Sequence, residues 1–149
     1  MSRPPRYPMA GFLIDALQGD IESVIFHDHN ITSSVPPANR MPWGLVVSIP
    51  GGGYLGPMSD EYQLASWTYQ IDALGMQRQQ TEWLVDKISE ALIDRNIDGS
   101  YRVPIEAPLG FSVSYRELHS PGGMLDGGTA PNGTIFHAPV RFTLWVSPS

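Results

Sequence analysis

The chain has 149 residues, a formal net charge of −6 and no cysteine. This length fits a single domain with a hydrophobic core, and the absence of cysteine excludes disulfides and thiolate metal sites. Only nine Lys and Arg residues are present, scattered along the chain, so the sequence lacks the basic patch with which proteins grip nucleic acid. An acidic surface keeps a domain soluble, and it also lets DNA pass without adhering.

The first elements are an extended N-terminus and a short helix. Residues 1–8 carry three prolines and two arginines and no apolar stretch of the kind found in signal peptides. An apolar stripe at helical spacing predicts a helix over 9–17, which Gly19 ends. Residues 21–26 fit either a strand or a tight return, and 27–42 fit a loop. No apolar run reaches the length of a membrane-spanning helix, so we expect a soluble protein made inside the cell.

The central pattern of the sequence is one strand that runs directly into one helix. Apolar and polar side chains alternate over 61–74, which predicts a strand with one buried face. Gly75 interrupts this alternation, and the period then becomes helical, with Leu84 and Ile88 on the apolar stripe of a helix predicted over 76–95. The strand and the helix can bury each other's apolar side, and neither would be stable alone.

Three further segments alternate and predict strands. They are residues 43–49, 110–118 and 134–147. Pro139 inside the last segment predicts an edge position or a bulge. Because the chain turns back after 43–49, this segment and 61–74 are predicted to be antiparallel neighbours. We therefore predict one α+β domain over 1–149, with a mixed, mainly antiparallel sheet of about four strands and both helices packed on one face.

Residues 119–133 form a stretch that is rich in glycine and proline. The stretch contains five glycines and two prolines, and Met124 and Leu125 are the apolar residues at its centre. Ordering each backbone residue costs roughly 1–2 kcal/mol, and glycine loses the most freedom. Burying two apolar side chains contributes about 3–6 kcal/mol. We therefore expect an arm that only a neighbouring molecule can order, through contacts with Met124 and Leu125; a long hairpin loop is the alternative.

No set of residues in the sequence predicts catalysis. His27-Asp28-His29 has the residue types of a metal site, but the sequence implies no third ligand, and a surface loop is the alternative. Gly51-Gly52-Gly53 lacks the lysine and the Ser or Thr of a phosphate-binding loop and fits a turn, as does Asp126-Gly127-Gly128. Because no nucleophile is paired with a base, we expect a protein that is not an enzyme and needs no cofactor.

The predicted helix over 76–95 also carries an acidic stripe. Four carboxylates recur every four residues on the side away from the apolar stripe: Glu82, Asp86, Glu90 and Asp94. Like charges at this spacing cost roughly 0.2–0.5 kcal/mol per pair, and Arg78 and Lys87 offset part of that cost. The acidic stripe is either a solvated face or a surface that repels phosphate or meets a basic partner.

The order of these parts resembles that of a known family. The short helix pattern GFLIDAL comes first, and the strand pattern VVSIPGGG follows it. The central strand pattern YQLASWTYQIDALG then leads into the helix pattern QRQQTEWLVDKISEAL, and the strand pattern FHAPVRFTLWVSPS comes last. Over roughly residues 9–147 this order is similar to the tail terminator family of long-tailed bacteriophages, also known as minor tail or tail completion proteins. The resemblance lies in patterns rather than in invariant residues. The arm at 119–133 and a proline-rich insert at 97–108 depart from it.

The resemblance implies a structural virion protein. Members of the family form a six-fold ring that caps the tail tube, stops its growth and docks the head–neck connector. For this chain it implies a homo-oligomer in the tail–neck region of a virion, assembled in the host cytoplasm, with a tail tube protein and a connector protein as partners. Met124 and Leu125 become candidate contacts to a subunit or the tube. The acidic stripe becomes a candidate lining of a channel that DNA crosses without specific binding, and no membrane is involved.

Two other classes of protein stay open at this point. Another neck, connector or head-closure protein of the same virion would share the acidic balance, the glycine-rich arm and the lack of a catalytic set. A small cytosolic binding module would instead need a concave apolar pocket with convergent polar groups, which a sequence does not show.

Overall fold

The computed structural model of the protein describes residues 4–28, 42–55, 64–121, 125–130 and 133–149. Within these ranges the chain forms two helices and six strands, in the order α1 (Met9–Asp20), β1 (Ile25–Asp28), β2 (Trp43–Leu55), β3 (Leu64–Gly75), α2 (Arg78–Ile93), β4 (Phe111–Pro121), β5 (Leu125–Ala130) and β6 (Gly133–Pro148). The strands form one sheet with the neighbour order β1-β2-β3-β6-β4, and β5 also pairs with β6. The predicted α+β class with a mixed sheet is confirmed.

The predicted count of about four strands is too low. All four predicted strands are present with shifted bounds, and β1 and β5 are additional. β1 overlaps the end of the region predicted as a strand or a tight return, continues into 27–28, which was predicted as loop, and pairs in parallel with β2. β2 continues through the glycine triplet predicted to end it, with a register shift between Ile49 and Gly53. Gly19 lies inside α1 rather than after it; a helical glycine costs only about 1 kcal/mol, which the buried side of α1 offsets.

β3 is the strand around which the sheet is arranged. It pairs antiparallel with β2 on one side, as predicted, and antiparallel with β6 on the other. The register places Tyr69 opposite Phe142 and Ile71 opposite Val140. Because directly opposite residues of antiparallel strands share a face, the separate alternations of the two strands combine into one apolar and one polar sheet face.

Both helices cover the apolar sheet face, as predicted. Leu13 of α1 and Leu84 and Ile88 of α2 are fully buried in one hydrophobic cluster with Trp67 and Phe142 of the sheet. Fully burying a side chain of this kind contributes roughly 1.5–3 kcal/mol before the entropy cost. The sheet residues of β3 and β6 that are at most 2% exposed are Ala65, Trp67, Tyr69, Ile71, Ala73, Ala138, Val140, Phe142, Leu144 and Val146.

Gly75 marks the place where β3 becomes α2, and the site has no room for a side chain. A Cβ atom added there would lie 2.5 Å from the hydroxyl of Thr81. Thr81 is buried, and its hydroxyl donates to the carbonyl of Gln77 at 3.1 Å. The amide of Met76 donates to the side-chain oxygen of Gln80 at 3.0 Å, which satisfies a donor at a helix start that has no side-chain cap. The period change in the sequence thus coincides with a tight strand-to-helix junction.

β4, β5 and β6 form one long hairpin. β4 pairs with residues 140–148 of β6, and β5 pairs with residues 133–137. The pairing of β3 with β6 ends at Phe136. The tip of the hairpin, residues 125–130 and 133–135, therefore extends past the end of β3. The described part of the arm, which was predicted to lack contacts of its own, forms main-chain pairs with β6. Backbone hydrogen bonds of this ladder are a contribution that an estimate from two apolar side chains omits.

Pro139 lies where the outer strand of this hairpin changes from β4 to β5. The last β4 pair is made by Val140 and the first β5 pair by His137. A proline nitrogen cannot donate a ladder hydrogen bond, so a position at this irregular junction suits it. The predicted edge position is wrong, because β6 lies between β3 and the strands β4 and β5, and Pro139 pairs with Asp72 of β3 without a register shift.

Candidate interaction surfaces

The acidic stripe of α2 lies on the outer side of the helix. Glu82, Asp86, Glu90 and Asp94 are all exposed. Arg78 forms an ion pair with Glu82 at 3.0 Å, and Lys87 forms one with Glu90 at 3.6 Å. Exposed pairs of this kind contribute about 0–1 kcal/mol, so they only partly offset the repulsion along the stripe.

The C-terminal end of α1 extends the acidic character beyond α2. Arg102 donates to both carboxylate oxygens of Asp20, at 2.6 and 3.1 Å, and lies 3.9 Å from Asp94. The hydrogen bond with Asp20 raises the pKa of Arg102, so the guanidinium stays charged. One arginine therefore joins the ends of both helices. We call the outer side of the two helices the acidic helix face; its carboxylates are Asp15, Asp20, Glu22, Glu82, Asp86, Glu90 and Asp94.

The two helices leave the polar face of the sheet uncovered, and we call it the open sheet face. The hydroxyls of Thr68 and Thr143 lie 2.8 Å apart across the pair of β3 and β6. The Nε2 atom of His119 on β4 lies 2.6 Å from the same Thr143 hydroxyl. Because a hydroxyl both donates and accepts, these side chains form one hydrogen-bonded row across three strands.

A second polar row lies on the open sheet face toward the hairpin tip. The Nε2 atom of His137 lies 2.9 Å from the carboxylate of Asp72, and both side chains are mostly buried. The amide of Gln70 donates to Asp72 at 2.8 Å, and Arg141 donates to Gln70 at 3.3 Å. The rows hold their side chains in fixed positions, so a partner that docks on this face would order few of them anew.

Arg116 places a buried cation at the other end of the apolar face. It donates to the carbonyl oxygens of Leu92 and Val103, and burial lowers its pKa to about 10. The guanidinium carbons of Arg116 and Arg95 each lie 4.2 Å from the ring centroid of Tyr101, in cation–π geometry. These contacts fasten the connection between α2 and β4 to the end of α2.

That connection and α1 enclose a groove, which we call the α1 groove. Its volume is about 390 Å³, and its floor is apolar, made by Phe12, Ala16, Val103 and Pro104. Charged side chains stand at its rim: Asp15, Asp20, Arg102 and Glu106. Within the described part of the chain, Asp20 and Arg102 pair with each other, whereas Asp15 and Glu106 have no ion-pair partner.

The histidine motif and the arm residues are only partly within the described structure. His27 packs edge-on against Trp43, with ring centroids 4.7 Å apart, and His29 lies outside the described residues. No three His, Asp or Glu side chains among the described residues are grouped so that they could hold a metal ion. Met124 lies outside the described residues, and Leu125 starts β5 opposite His137. The predicted contact role of Met124 and Leu125 therefore stays a prediction.

The polar rows of the open sheet face were not predicted from the sequence. In the sequence, the alternation of apolar and polar residues places Asp72 and His137 on the polar faces of their strands. This alternation is the signal from which the positions of both side chains could be inferred. Their contact depends on the register between β3 and β6, which neither strand specifies by itself. The α1 groove was missed because its two walls come from distant parts of the chain.

None of the described helices is long and apolar enough to cross a membrane.

Comparisons of the sequence with protein-family models and with curated proteins give no match. The fold, in contrast, has a counterpart among solved structures. The protein is similar to a chain in the virion of a native gene transfer agent particle, with a TM-score of 0.58 and 12% sequence identity. The likeness covers 95% of this chain and 98% of that chain, so the two share a fold over nearly their whole lengths.

Proposed function

We propose that the protein is a structural component of a phage-like virion, and more narrowly a tail terminator. In this role it would form a ring that caps the tail tube, stops its growth and joins it to the head–neck connector. The observation that carries the proposal is the fold shared with a chain of the gene transfer agent virion over nearly the full length of both. A shared fold does not by itself assign a function, so the narrower role rests on the resemblance of the sequence to tail terminators.

The distribution of surfaces supports a subunit with several neighbours. A ring subunit contacts two like subunits, the tube below and the connector above. The chain offers several features for such contacts: the open sheet face, the hairpin tip, the α1 groove and the acidic helix face, of which the last two share Asp15 and Asp20. In this proposal the hairpin tip contacts a neighbouring subunit or the tube, and the candidate contact residues Met124 and Leu125 take part in that contact.

The acidic helix face suits the wall of a channel for DNA. Phosphates are repelled by a surface with several exposed carboxylates, so DNA passes without binding specifically. Asp86 has no ion-pair partner among the described residues, and the pairs made by Glu82 and Glu90 are exposed and weak. We propose a structural role with no catalytic step and no cofactor.

A neck, connector or head-closure role in the same virion is the second candidate. The same fold likeness supports this role, because the similar chain belongs to a virion and the likeness does not specify a position in the particle.

Loss of the protein from an assembling virus distinguishes the two candidates. Without a terminator, tube growth is not stopped, so electron micrographs should show tails that are longer and more variable than normal. Without a head-closure protein, tails should keep their normal length while filled heads lose their DNA. Particles of normal morphology and infectivity would contradict both roles.

The mass of the purified protein provides a further check. A stable ring of six subunits would have roughly six times the chain mass of 16.4 kDa in light scattering after gel filtration. A binding module would have no reason to reach this mass, either alone or after mixing with tube protein.

A further inference from the structure

We propose that Tyr7 of one copy inserts into the α1 groove of a second copy, so that the chains associate head to tail. The contact rests on the proposed function, because it would be the interface between neighbouring subunits of the proposed ring. The observations behind it are the exposure of Tyr7, the shape of the groove and the charges at its rim.

Tyr7 is a rigid aromatic projection at the start of the first helix. It is 89% exposed, so nearly the whole ring is accessible to another molecule. The amide of Met9 donates to the carbonyl of Arg6 at 3.1 Å, which closes a turn around Tyr7, and Pro8 fixes one backbone angle next to it. Because the backbone is already ordered, binding through Tyr7 would cost little conformational entropy.

The α1 groove provides what a tyrosine side chain needs. Phe12, Ala16 and Val103 supply an apolar floor for the ring, and the groove volume of about 390 Å³ lies within the range of roughly 300–1,000 Å³ common for binding clefts. A phenol hydroxyl donates one hydrogen bond, and the rim carboxylates of Asp15 and Glu106 can accept it. Tyrosine is among the residues that most often dominate the energy of an interface.

Tyr7 does not fill the groove of its own chain. It is 89% exposed, whereas the groove begins at Phe12 and extends along α1 to Asp20. The groove of each copy is therefore open to a side chain from another copy. A projection and a groove at different places on one surface pair between copies in a head-to-tail manner, and such contacts produce closed rings when the rotation permits.

Among the residues that the structure describes, two other apolar side chains are fully exposed and compete as occupants. Ile97 and Leu109 both have about the exposure of an unfolded chain. Both are aliphatic, so neither can donate a hydrogen bond to the carboxylates of the rim. Tyr115 carries the same ring and hydroxyl but is only 50% exposed, so Tyr7 is the described tyrosine that presents most of its ring to a neighbouring copy.

Photo-crosslinking from position 7 tests the contact directly. Benzoylphenylalanine in place of Tyr7 keeps an aromatic side chain and attaches to whatever it touches on irradiation. A mixture of isotopically labelled and unlabelled full-length protein separates crosslinks between chains from those within one chain. We expect crosslinks between chains that map to residues 12–20 or 102–106 and give a ladder beyond the dimer. The same probe at Leu109 is the control, and its crosslinks should map elsewhere.

Filling the groove provides a matched pair of variants. A Cβ atom at Gly19, which lines the groove, or at Gly11, which does not, meets nothing within 4 Å. Both glycines are exposed on α1, so Gly19→Phe and Gly11→Phe should melt at similar temperatures. Gly19→Phe should reduce the crosslinks from position 7 at least about tenfold, while Gly11→Phe should leave them unchanged. Tyr7→Ala should weaken self-association by about 10–100-fold, and Tyr7→Phe should have a smaller effect.

The outcomes separate this contact from the proposed function. Absence of crosslinks between chains in both the concentrated protein and assembled particles would overturn the contact, as would crosslinks outside the groove or no effect of a folded Gly19→Phe variant. If the contact fails while the chain is present in particles with a tail-length defect on its removal, the proposed function stands. If the contact forms but the chain is absent from particles, the contact stands and the proposed function fails.

Discussion

The two faces of the β3–β6 pair are stabilised by different interactions. On one face Tyr69 and Phe142 are fully buried beneath the helices. On the other face the hydroxyls of Thr68 and Thr143 hydrogen-bond to each other, Thr143 also bonds to His119, and no described helix covers them. The apolar face therefore stabilises the single chain, while the polar face is already ordered and available for contacts in an assembly. Substitutions on the two sides should accordingly differ in kind, with stability lost on one side and assembly lost on the other.

The largest effect is expected for a charge on the helix side of the core. Leu84→Asp should lower the free energy of unfolding by at least about 4 kcal/mol or abolish soluble expression, because an unpaired carboxylate would be buried. Trp83→Asp is the control on the same helix: Trp83 is 41% exposed, so the new carboxylate can reach solvent and the loss should be clearly smaller than for Leu84→Asp. Chemical denaturation measures both, and equal stability of the two variants would show that the apolar stripe of α2 does not face the sheet.

A smaller loss is expected when the buried cation is removed. Arg116→Met should cost about 2–3 kcal/mol, because the carbonyls of Leu92 and Val103 lose their donor while the stem of the side chain is kept. Arg141→Met on the exposed side of β6 should change stability by less than about 0.5 kcal/mol. A similar loss for both variants would contradict the assignment of Arg116 to the core.

The stability difference between wild type and Arg116→Met should also depend on pH. Burial lowers the pKa of Arg116 to about 10, so above this pH the unfolded chain holds the proton more tightly than the folded chain. Stability rises with pH where the unfolded state binds more protons, so the contribution of Arg116 should increase as the pH rises above about 10. Paired denaturation curves between pH 8 and 11 measure this, and a constant difference would argue against a desolvated guanidinium.

Substitution of a glycine in the sheet should lower stability more than substitution of a glycine on the helix surface. A Cβ atom at Gly44 would lie 2.3 Å from the ring of Phe26, so Gly44→Ala should cost about 1–2 kcal/mol through displacement of that ring. Gly11→Ala in α1 meets nothing within 4 Å and should gain up to about 1 kcal/mol from helix propensity. Thermal melts of the two variants should shift in opposite directions; shifts of the same sign would contradict the packing of Phe26 over β2.

How far the sequence predicted these features depends on the range of the interactions. The apolar face and the helix stripe follow from periods of 2 and 3.6 within single segments, so the sequence predicts the buried face of 61–74 and the burial of Leu84 and Ile88. β1 and β5 are held by main-chain pairing with a partner strand and have little side-chain pattern of their own. The contact of His137 with Asp72 and the α1 groove depend on tertiary placement, which no local pattern contains.

The smallest effect on stability is expected for the acidic stripe. Lysine in place of Glu82, Asp86, Glu90 and Asp94 removes exposed ion pairs only, so the free energy of unfolding should change by less than about 1 kcal/mol. If the stripe lines the DNA path, particles with this variant should assemble but eject or retain DNA poorly, because phosphates would bind the wall. Particles with normal infectivity would leave the stripe as a solvated face.

The most direct test of the proposed role is to locate the chain in purified particles by cryo-electron microscopy. The account predicts a single ring of six copies at the end of the tail tube that meets the head–neck connector, with the acidic helix face toward the channel. Absence of the chain from the particles, or its placement along the length of the tube, would contradict the tail-terminator role.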